Sequence, residues 1–306
     1  MSNRMQTTSA RTNPIDGRVV WAPVKSLWFT SMAAVYLAFG PSTFSWSALV
    51  VAGLLTGFTV CVGHSVGFHR LLIHRSFACP RWVEYLLVTT GVLVGMGGPR
   101  KMLRMHDSRD WAQRLPECHP FFRHSSNILR DWLWNLHCEL RLAHPPDFRP
   151  EERVTGSRYY RFLDHTWMLM QLPLAALLYA LGGIPFVVWG ICGRIVLSLT
   201  GHWLIGYIAH NTGERDWHVD GASVQGFNVR GLGLISMGEA WHNNHHAFPE
   251  SARLGLEASQ PDPGWWFVCL LERIGLASEL NEPGDLPERA ELQSLPNTKP
   301  RSASAT

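Results

Sequence analysis

Four apolar stretches, residues 26–39, 46–62, 166–181 and 184–206, are the strongest constraint on what this chain can fold into. The first three are short for a membrane span of about 20 residues. Flanking aromatic residues extend them, and the second then runs over 46–66. Each neighbouring pair is joined by a tight uncharged turn, Gly40-Pro41-Ser42-Thr43 and Gly182-Gly183-Ile184-Pro185. The pattern predicts four transmembrane helices in two hairpins. Only 17% of the residues are charged against 46% hydrophobic, which is low for a soluble domain. Every Lys and Arg but one lies in the N-terminal, middle or C-terminal segment, so the positive-inside rule places all three in the cytoplasm. The exception is Arg194, within the fourth stretch, which must face the bundle or snorkel to the interface.

The expected architecture is an all-α integral membrane protein with a membrane domain over 21–280. Its spans are about 26–39, 46–66, 166–181 and 184–206, and its cytoplasmic helical cap is 67–165 and 207–280. Residues 1–20 and 281–306 are rich in polar residues without apolar periodicity and are expected to be disordered tails. Residues 83–96 form a fifth, shorter apolar stretch that contains Glu84 and Gly91 and reads as an interfacial or half-inserted helix. The first 18 residues hold no apolar core with a cleavage site, so no signal peptide is expected. The net charge of +3 is too small, and no motif is present, to argue for nucleic acid. A basic face against anionic headgroups accounts for the Arg-rich segments. The six Cys residues form no CxxC pair, which argues against a disulfide framework or a thiolate metal site.

Fifteen His residues cluster where the spans meet the cytoplasm. His69 and His74 follow the second span. Five residues of α-helix rotate by about 140°, so a straight helix would present these two rings to two neighbouring ions rather than to one. His242, His245 and His246 stand at i, i+3 and i+4 and share one helix face, which predicts three imidazoles delivered to one spot. His210 lies just past the fourth span and His202 lies within it; a lone His in an apolar helix is more often a hydrogen-bonded core residue than a ligand. Imidazole suits several metals, and a many-His set without thiolate at membrane depth favours redox iron over structural zinc. Trp111, Trp132, Trp134 and Trp203 fit either a substrate tunnel or the aromatic belt of a membrane protein.

The box His69–His74 with Arg75-Ser76-Phe77, the block Gly238-Glu239-Ala240-Trp241-His242-Asn243-Asn244-His245-His246-Ala247-Phe248-Pro249, and the later Asp262, Trp266 and Gly275-Leu276 resemble the membrane-bound acyl-CoA desaturase family. The resemblance runs from about Trp46 to Leu276. It implies a four-span helical protein with two iron ions, a long tunnel for an acyl chain, and O2-dependent removal of two hydrogens. It also implies electrons from a small carrier of ferredoxin, rubredoxin or cytochrome b5 type with its reductase. Carried over, the metal ligands are His69, His74, His106, His210, His242, His245 and His246. The family's second box, HRxHH, is altered here to His106-Asp107-Ser108-Arg109-Asp110, and Gly206 stands where the family has Asn. Asp110 can ligate iron through oxygen, whereas Arg109 has no lone pair to offer. Asp110 is therefore counted as a ligand, Asp107 and Arg109 as residues that orient it, and His119, His124, His137 and His202 as further candidates.

The function expected is an acyl desaturase acting on acyl-CoA or a lipid-linked acyl group. The rival on the same scaffold is a hydroxylase or other oxygenase, and the rival of another class is a metal- or haem-binding membrane protein. A transporter would need ionisable groups along a path through several spans, and bis-His haem binding would need facing rings, for which only His64 and His202 qualify.

Overall fold

The computed structural model describes residues 4–7, 9–124 and 127–296. Pro23 opens helix α1 (Pro23–Phe39) at a first-turn position where its missing N–H costs nothing. The chain then reverses. Thr43 Oγ1 donates to the Phe39 carbonyl (2.7 Å), and the Ser45 hydroxyl accepts from the Ala48 N–H (3.1 Å), capping α2 (Trp46–Phe58). This helix does not stop at Phe58. It continues as a 15-residue π-helix, Thr59–Ile73, so the apolar rod spans Trp46–Ile73, 28 residues.

The cap begins with α3 (Arg81–Leu93), which corresponds to the fifth apolar stretch and lies along the π-helix. Glycines of the π-helix let the two backbones meet: a Cβ on Gly63 would fall 2.4 Å from the Thr90 backbone, and one on Gly67 would fall 2.4 Å from the Leu87 carbonyl oxygen. Next come α4 (Pro99–Gln113), α5 (Pro120–Arg123), α6 (Ile128–His137), α7 (Glu152–Thr155) and α8 (Arg158–Thr166). Phe68, Leu72, Val88, Val92, Leu103 and Leu163 are fully buried where the π-helix, α3, α4 and α8 meet. Each such side chain contributes about 1.5–3 kcal/mol by leaving water, and together they fix α4 and the π-helix relative to each other.

The second hairpin starts with α9 (Gln171–Val187), five residues later than the apolar run suggests, and turns back at Gly182 and Gly183, whose backbone angles are non-helical. Gly183 has φ +65°, a conformation that only glycine adopts without strain. The chain returns through Val188–Gly193 into α10 (Arg194–Asn211). Arg194 faces inward: it is fully buried and donates to Gly190 O (2.8 Å), Leu93 O (2.5 Å) and Gln171 Oε1 (2.6 Å). Two short helices complete the cap, α11 (His242–Ala247) and α12 (Pro263–Arg273).

Two expectations need correction. The fold is mostly but not purely helical, because the described residues include three two-stranded antiparallel sheets: β1 (Met5–Gln6) with β4 (Asp147–Phe148), β2 (Gly17–Trp21) with β3 (Cys138–Leu142), and β5 (Trp217–Val219) with β6 (Leu292–Ser294). These strands also place short paired segments inside what composition marks as disordered tails over 1–20 and 281–306. Backbone pairing orders both segments without a large apolar face. At the N-terminus Arg4 adds a buried ion pair with Asp107 (2.5 Å). At the C-terminus Arg289 donates to the carbonyls of His246 (3.1 Å) and Ala247 (2.7 Å), which the end of α11 leaves free. Residues 1–3, 8 and 297–306 of those expected tails lie outside the described residues.

Candidate metal centre

Seven histidines from four elements meet at the junction of both hairpins and the cap, and they form two groups. His69, His74, His106 and His245 make one, and His210, His242 and His246 the other. Within each, one ring nitrogen per residue lies within 4.8 Å of all the others, the spacing needed to hold a metal ion.

The first group depends on the π-helix. In a helix with i→i+5 hydrogen bonds a turn takes more residues than the 3.6 of an α-helix, which brings residues five apart nearer to one face, and the His74 N–H indeed reaches His69 O at 3.0 Å. The two rings therefore lie on one side, 4.8 Å apart between centroids, and not on diverging faces as α geometry predicts. They serve the same group. His106 comes from α4 and His245 from α11, with ring centroids 4.8 and 4.7 Å from His74. His74 Nε2, His106 Nδ1 and His245 Nδ1 are buried without a hydrogen-bond partner. Buried polar atoms are ordinarily paired, so converging orphan nitrogens fit a cation between them.

The block containing α11 also departs from expectation, since its three rings do not go to one spot. Residues i+3 and i+4 differ by about 100° around an α-helix, so His245 turns to the first group while His246 stays with His242 in the second. His242 Nε2 lies 3.2 Å from both His210 Nε2 and His246 Nε2. For metal–imidazole bonds of about 2.1 Å, such an edge subtends roughly 100°, suited to shared coordination. His210 Nδ1 donates to Gly206 O (2.7 Å), which leaves its Nε2 lone pair facing the group.

A six-residue helix has no stability of its own, and the intervening asparagines anchor this one. Asn243 accepts from the N–H groups of Asp216 and Trp217 and donates to Trp217 O and Gly226 O. Asn244 donates to Leu254 O (2.8 Å) and Gln260 Oε1 (2.9 Å). The histidines are thus held out on the opposite face.

Glu239 is the main participant that spacing alone missed, although a single carboxylate inside a His-rich block was a usable signal. Its Oε2 lies 2.8 Å from His69 Nδ1, while Oε1 accepts from Ser65 Oγ (2.6 Å) and Arg70 (3.1 Å). A carboxylate behind an imidazole fixes its tautomer and orientation for metal binding. Burial alone would push the Glu239 carboxyl up; His69 and Arg70 outweigh it and hold it below the usual range. Arg70 is itself buried against Asp262 (2.7 Å), which caps α12.

Burial also favours the neutral form, the one that binds metal, in five of these histidines. It pushes His106 and His246 down to about 4, opposed in both by Asp110, and takes His74, His242 and His245 well below their ordinary value. Burial would raise Asp110, but His106 and Arg114 hold it low.

The remaining candidates divide clearly. Asp110 lies beside both groups: its Oδ1 is 3.6 Å from His106 Nδ1, and it lines a small recess with Gln113, Arg114, His245, His246 and Arg289. Asp107 and Arg109, expected to orient Asp110, have other partners, Arg4 for the first and His124 and Asn135 for the second. Consecutive positions on α4 point 100° apart, which separates their tasks. His119 caps α5 through its Nδ1 (3.1 Å from Phe121 N), and His137 Nδ1 contacts Ser26 Oγ (2.8 Å). His202 sits against His64 with ring centroids 4.5 Å apart, which leaves no room for a haem between them. None of these three joins either group. Of the tryptophans, Trp203 donates to Asp131 (2.8 Å), while Trp111 and Trp134 pack in an apolar cluster with Phe121 and Phe122.

The apolar helical rods and paired histidine groups define a class of membrane-associated proteins built around metal-binding imidazoles. Comparison with known proteins makes it specific: residues 44–257 match the fatty acid desaturase family model, and the chain belongs to that family. It is 36% identical over 262 residues to an sn-1 stearoyl-lipid 9-desaturase of Anabaena variabilis, covering 84% of this chain and 93% of the relative. It is 33% identical to an acyl-CoA C20 Delta5-desaturase of Anemone leveillei (83% and 80% covered) and 35% identical to delta-9 acyl-lipid desaturase 1 of Arabidopsis thaliana (85% and 84%). The protein is an oxidoreductase that introduces double bonds into acyl chains.

Proposed function

We propose that the protein is a four-span membrane enzyme holding two iron ions. His69, His74, His106 and His245 hold one, and His210, His242 and His246 with the Asp110 carboxylate hold the other. The observation that carries this reading is the division of seven converging ring nitrogens into two groups. Iron bound there would supply the O2-derived oxidant needed to take hydrogen from an unactivated methylene, chemistry beyond any side chain. The chain's own part is to bury the imidazoles at a junction where water is scarce and to fix His69 through Glu239. Electrons would come from a small carrier of ferredoxin, rubredoxin or cytochrome b5 type and its reductase.

Membrane placement is supported by the exposed apolar side chains along the rods, including Leu37, Leu54, Leu172 and Leu181. Lipid, not water, is the solvent that suits them. Both termini and the cap lie on the cytoplasmic side in this reading, since the hairpin turns hold no basic residue. The substrate is an acyl chain on a glycerolipid or on coenzyme A; the relatives' names include both kinds. Gas chromatography with mass spectrometry of fatty acids from cells with and without the protein tests the reaction. A new double bond at one position is expected, and a hydroxylated product in its place would move the reading to an oxygenase.

A further inference from the structure

The two histidine groups differ in what completes them, and this inference rests on reading both as metal positions. The first has four ring nitrogens and the Glu239 carboxylate behind one of them. The second has three, and groups bearing N–H stand at its flanks. Gln113 Nε2 lies 3.2 Å from His210 Nε2 and also donates to Phe122 O (2.7 Å), which fixes the amide with its NH2 end toward the ring. On another side, a Cβ on Gly206 would already touch His124 Nε2 at 3.7 Å, so the absence of a larger side chain there makes space for the His124 ring. That ring stacks on His210 with centroids 5.1 Å apart and planes 23° from parallel.

His124 is not free to act as a ligand. Its Nδ1 is 2.8 Å from Asp131 Oδ1 and its Nε2 is 2.6 Å from Arg109 Nη1. A guanidinium only donates, so Nε2 accepts and the proton sits on Nδ1. Asp131, fully buried, also accepts from Trp203 Nε1 (2.8 Å) and Asn135 Nδ2 (3.0 Å), and Asn135 Oδ1 accepts from Arg109 Nη2 (2.9 Å). Together these clamp Arg109 one imidazole away from the second group.

We propose that the two metal positions have unequal affinity. The four-histidine position fills first and tightly, and the three-histidine position fills second because Arg109, clamped by His124 and Asn135, stands beside it. The second position has one fewer nitrogen in place, and the Asp110 carboxylate that would complete it lies outside the close set of three rings. A guanidinium cannot shed its charge, and the Asp131 carboxylate offsets it only from the opposite nitrogen of His124, so an incoming cation is still opposed.

Metal titration decides this without reference to turnover. The purified full-length protein in detergent, stripped with a chelator, is titrated with Co(II), followed by its visible absorption and by elemental analysis of bound metal. Two steps are expected, with dissociation constants at least tenfold apart. His210→Ala should lose the weaker step and keep the tighter one. Arg109→His, which removes the charge and adds a nitrogen, should tighten the second step at least tenfold; Arg109→Gln should tighten it less. Uptake of two ions in a single step would overturn the inequality. An unchanged second step in both Arg109 variants, with elution and melting like the parent protein, would overturn the role of Arg109. Uptake of no cobalt would instead overturn the reading of the groups as metal positions, a failure distinguishable from either.

Discussion

Replacing Gly67 by Ala tests whether the π-helix positions the metal centre through its contact with α3. The added Cβ would lie 2.4 Å from the Leu87 carbonyl oxygen and 2.7 Å from its carbon, where real contacts stay above 3.0 Å. The obstruction is backbone, which no rotamer change can relieve, so α3 and the π-helix must separate by roughly half an ångström or more. Overpacking of this kind costs about 1–3 kcal/mol, and a rigid backbone obstruction belongs at the upper end. For a domain of this size that corresponds to a fall in Tm of roughly 2–5 °C. His69 lies two residues on, and metal sites keep their ligand distances within about 0.2 Å, so bound iron and product should fall more steeply than stability does. Gly53→Ala is the control, because a Cβ there meets nothing within 4 Å. The assays are thermal unfolding in detergent, iron content and fatty acid analysis of expressing cells. A Gly67→Ala protein with the parent's Tm, iron and product would refute the argument.

Glu239→Gln should keep the side chain's shape but weaken its hold on His69, lowering metal affinity or product about 10–100-fold, as loss of such an outer partner does elsewhere; elemental analysis and product yield check it. Asp110→Ala should cost bound iron and product together, and Asp110→His should retain more of both, whereas equal losses in the two variants would remove Asp110 from the site. Impermeant labelling of single cysteines introduced at Ser42 and Thr155, both exposed, in sealed vesicles should modify Ser42→Cys from the outside only and Thr155→Cys from the cytoplasmic side only. The reverse pattern would overturn the cytoplasmic placement of the cap.

Much of this arrangement was legible in the chain because its signals are local. The two reversals follow from glycine, proline and the lack of charge at 40–43 and 182–185, while the expense of a lone charge among apolar neighbours left Arg194 to face the bundle or snorkel, and it faces the bundle. The histidines were visible for the same reason. What escaped was the hydrogen-bond pattern that carries them: α periodicity separates His69 from His74, and only the i→i+5 ladder, supported by the close approach of Gly63 and Gly67 to α3, brings them together. Sequence spacing gives a face, not a destination, and so His245 was grouped with His242 and His246. The terminal strands were missed because their order comes from backbone pairing and from Arg4 and Arg289, whose partners lie about a hundred and about forty residues away.

The helix α11 supplies histidines to both groups, so neither metal position is mechanically independent of the other. An ion held by His245 would immobilise this six-residue rod and thereby prearrange His242 and His246, sparing the second ion part of the entropy of ordering its ligands. By thermodynamic reciprocity the second ion would strengthen the hold on the first. The coupling acts on top of the unequal affinities: a half-loaded protein carries its ion at the four-histidine position, and removing that ion under chelation or oxidative stress loosens the three-histidine position as well.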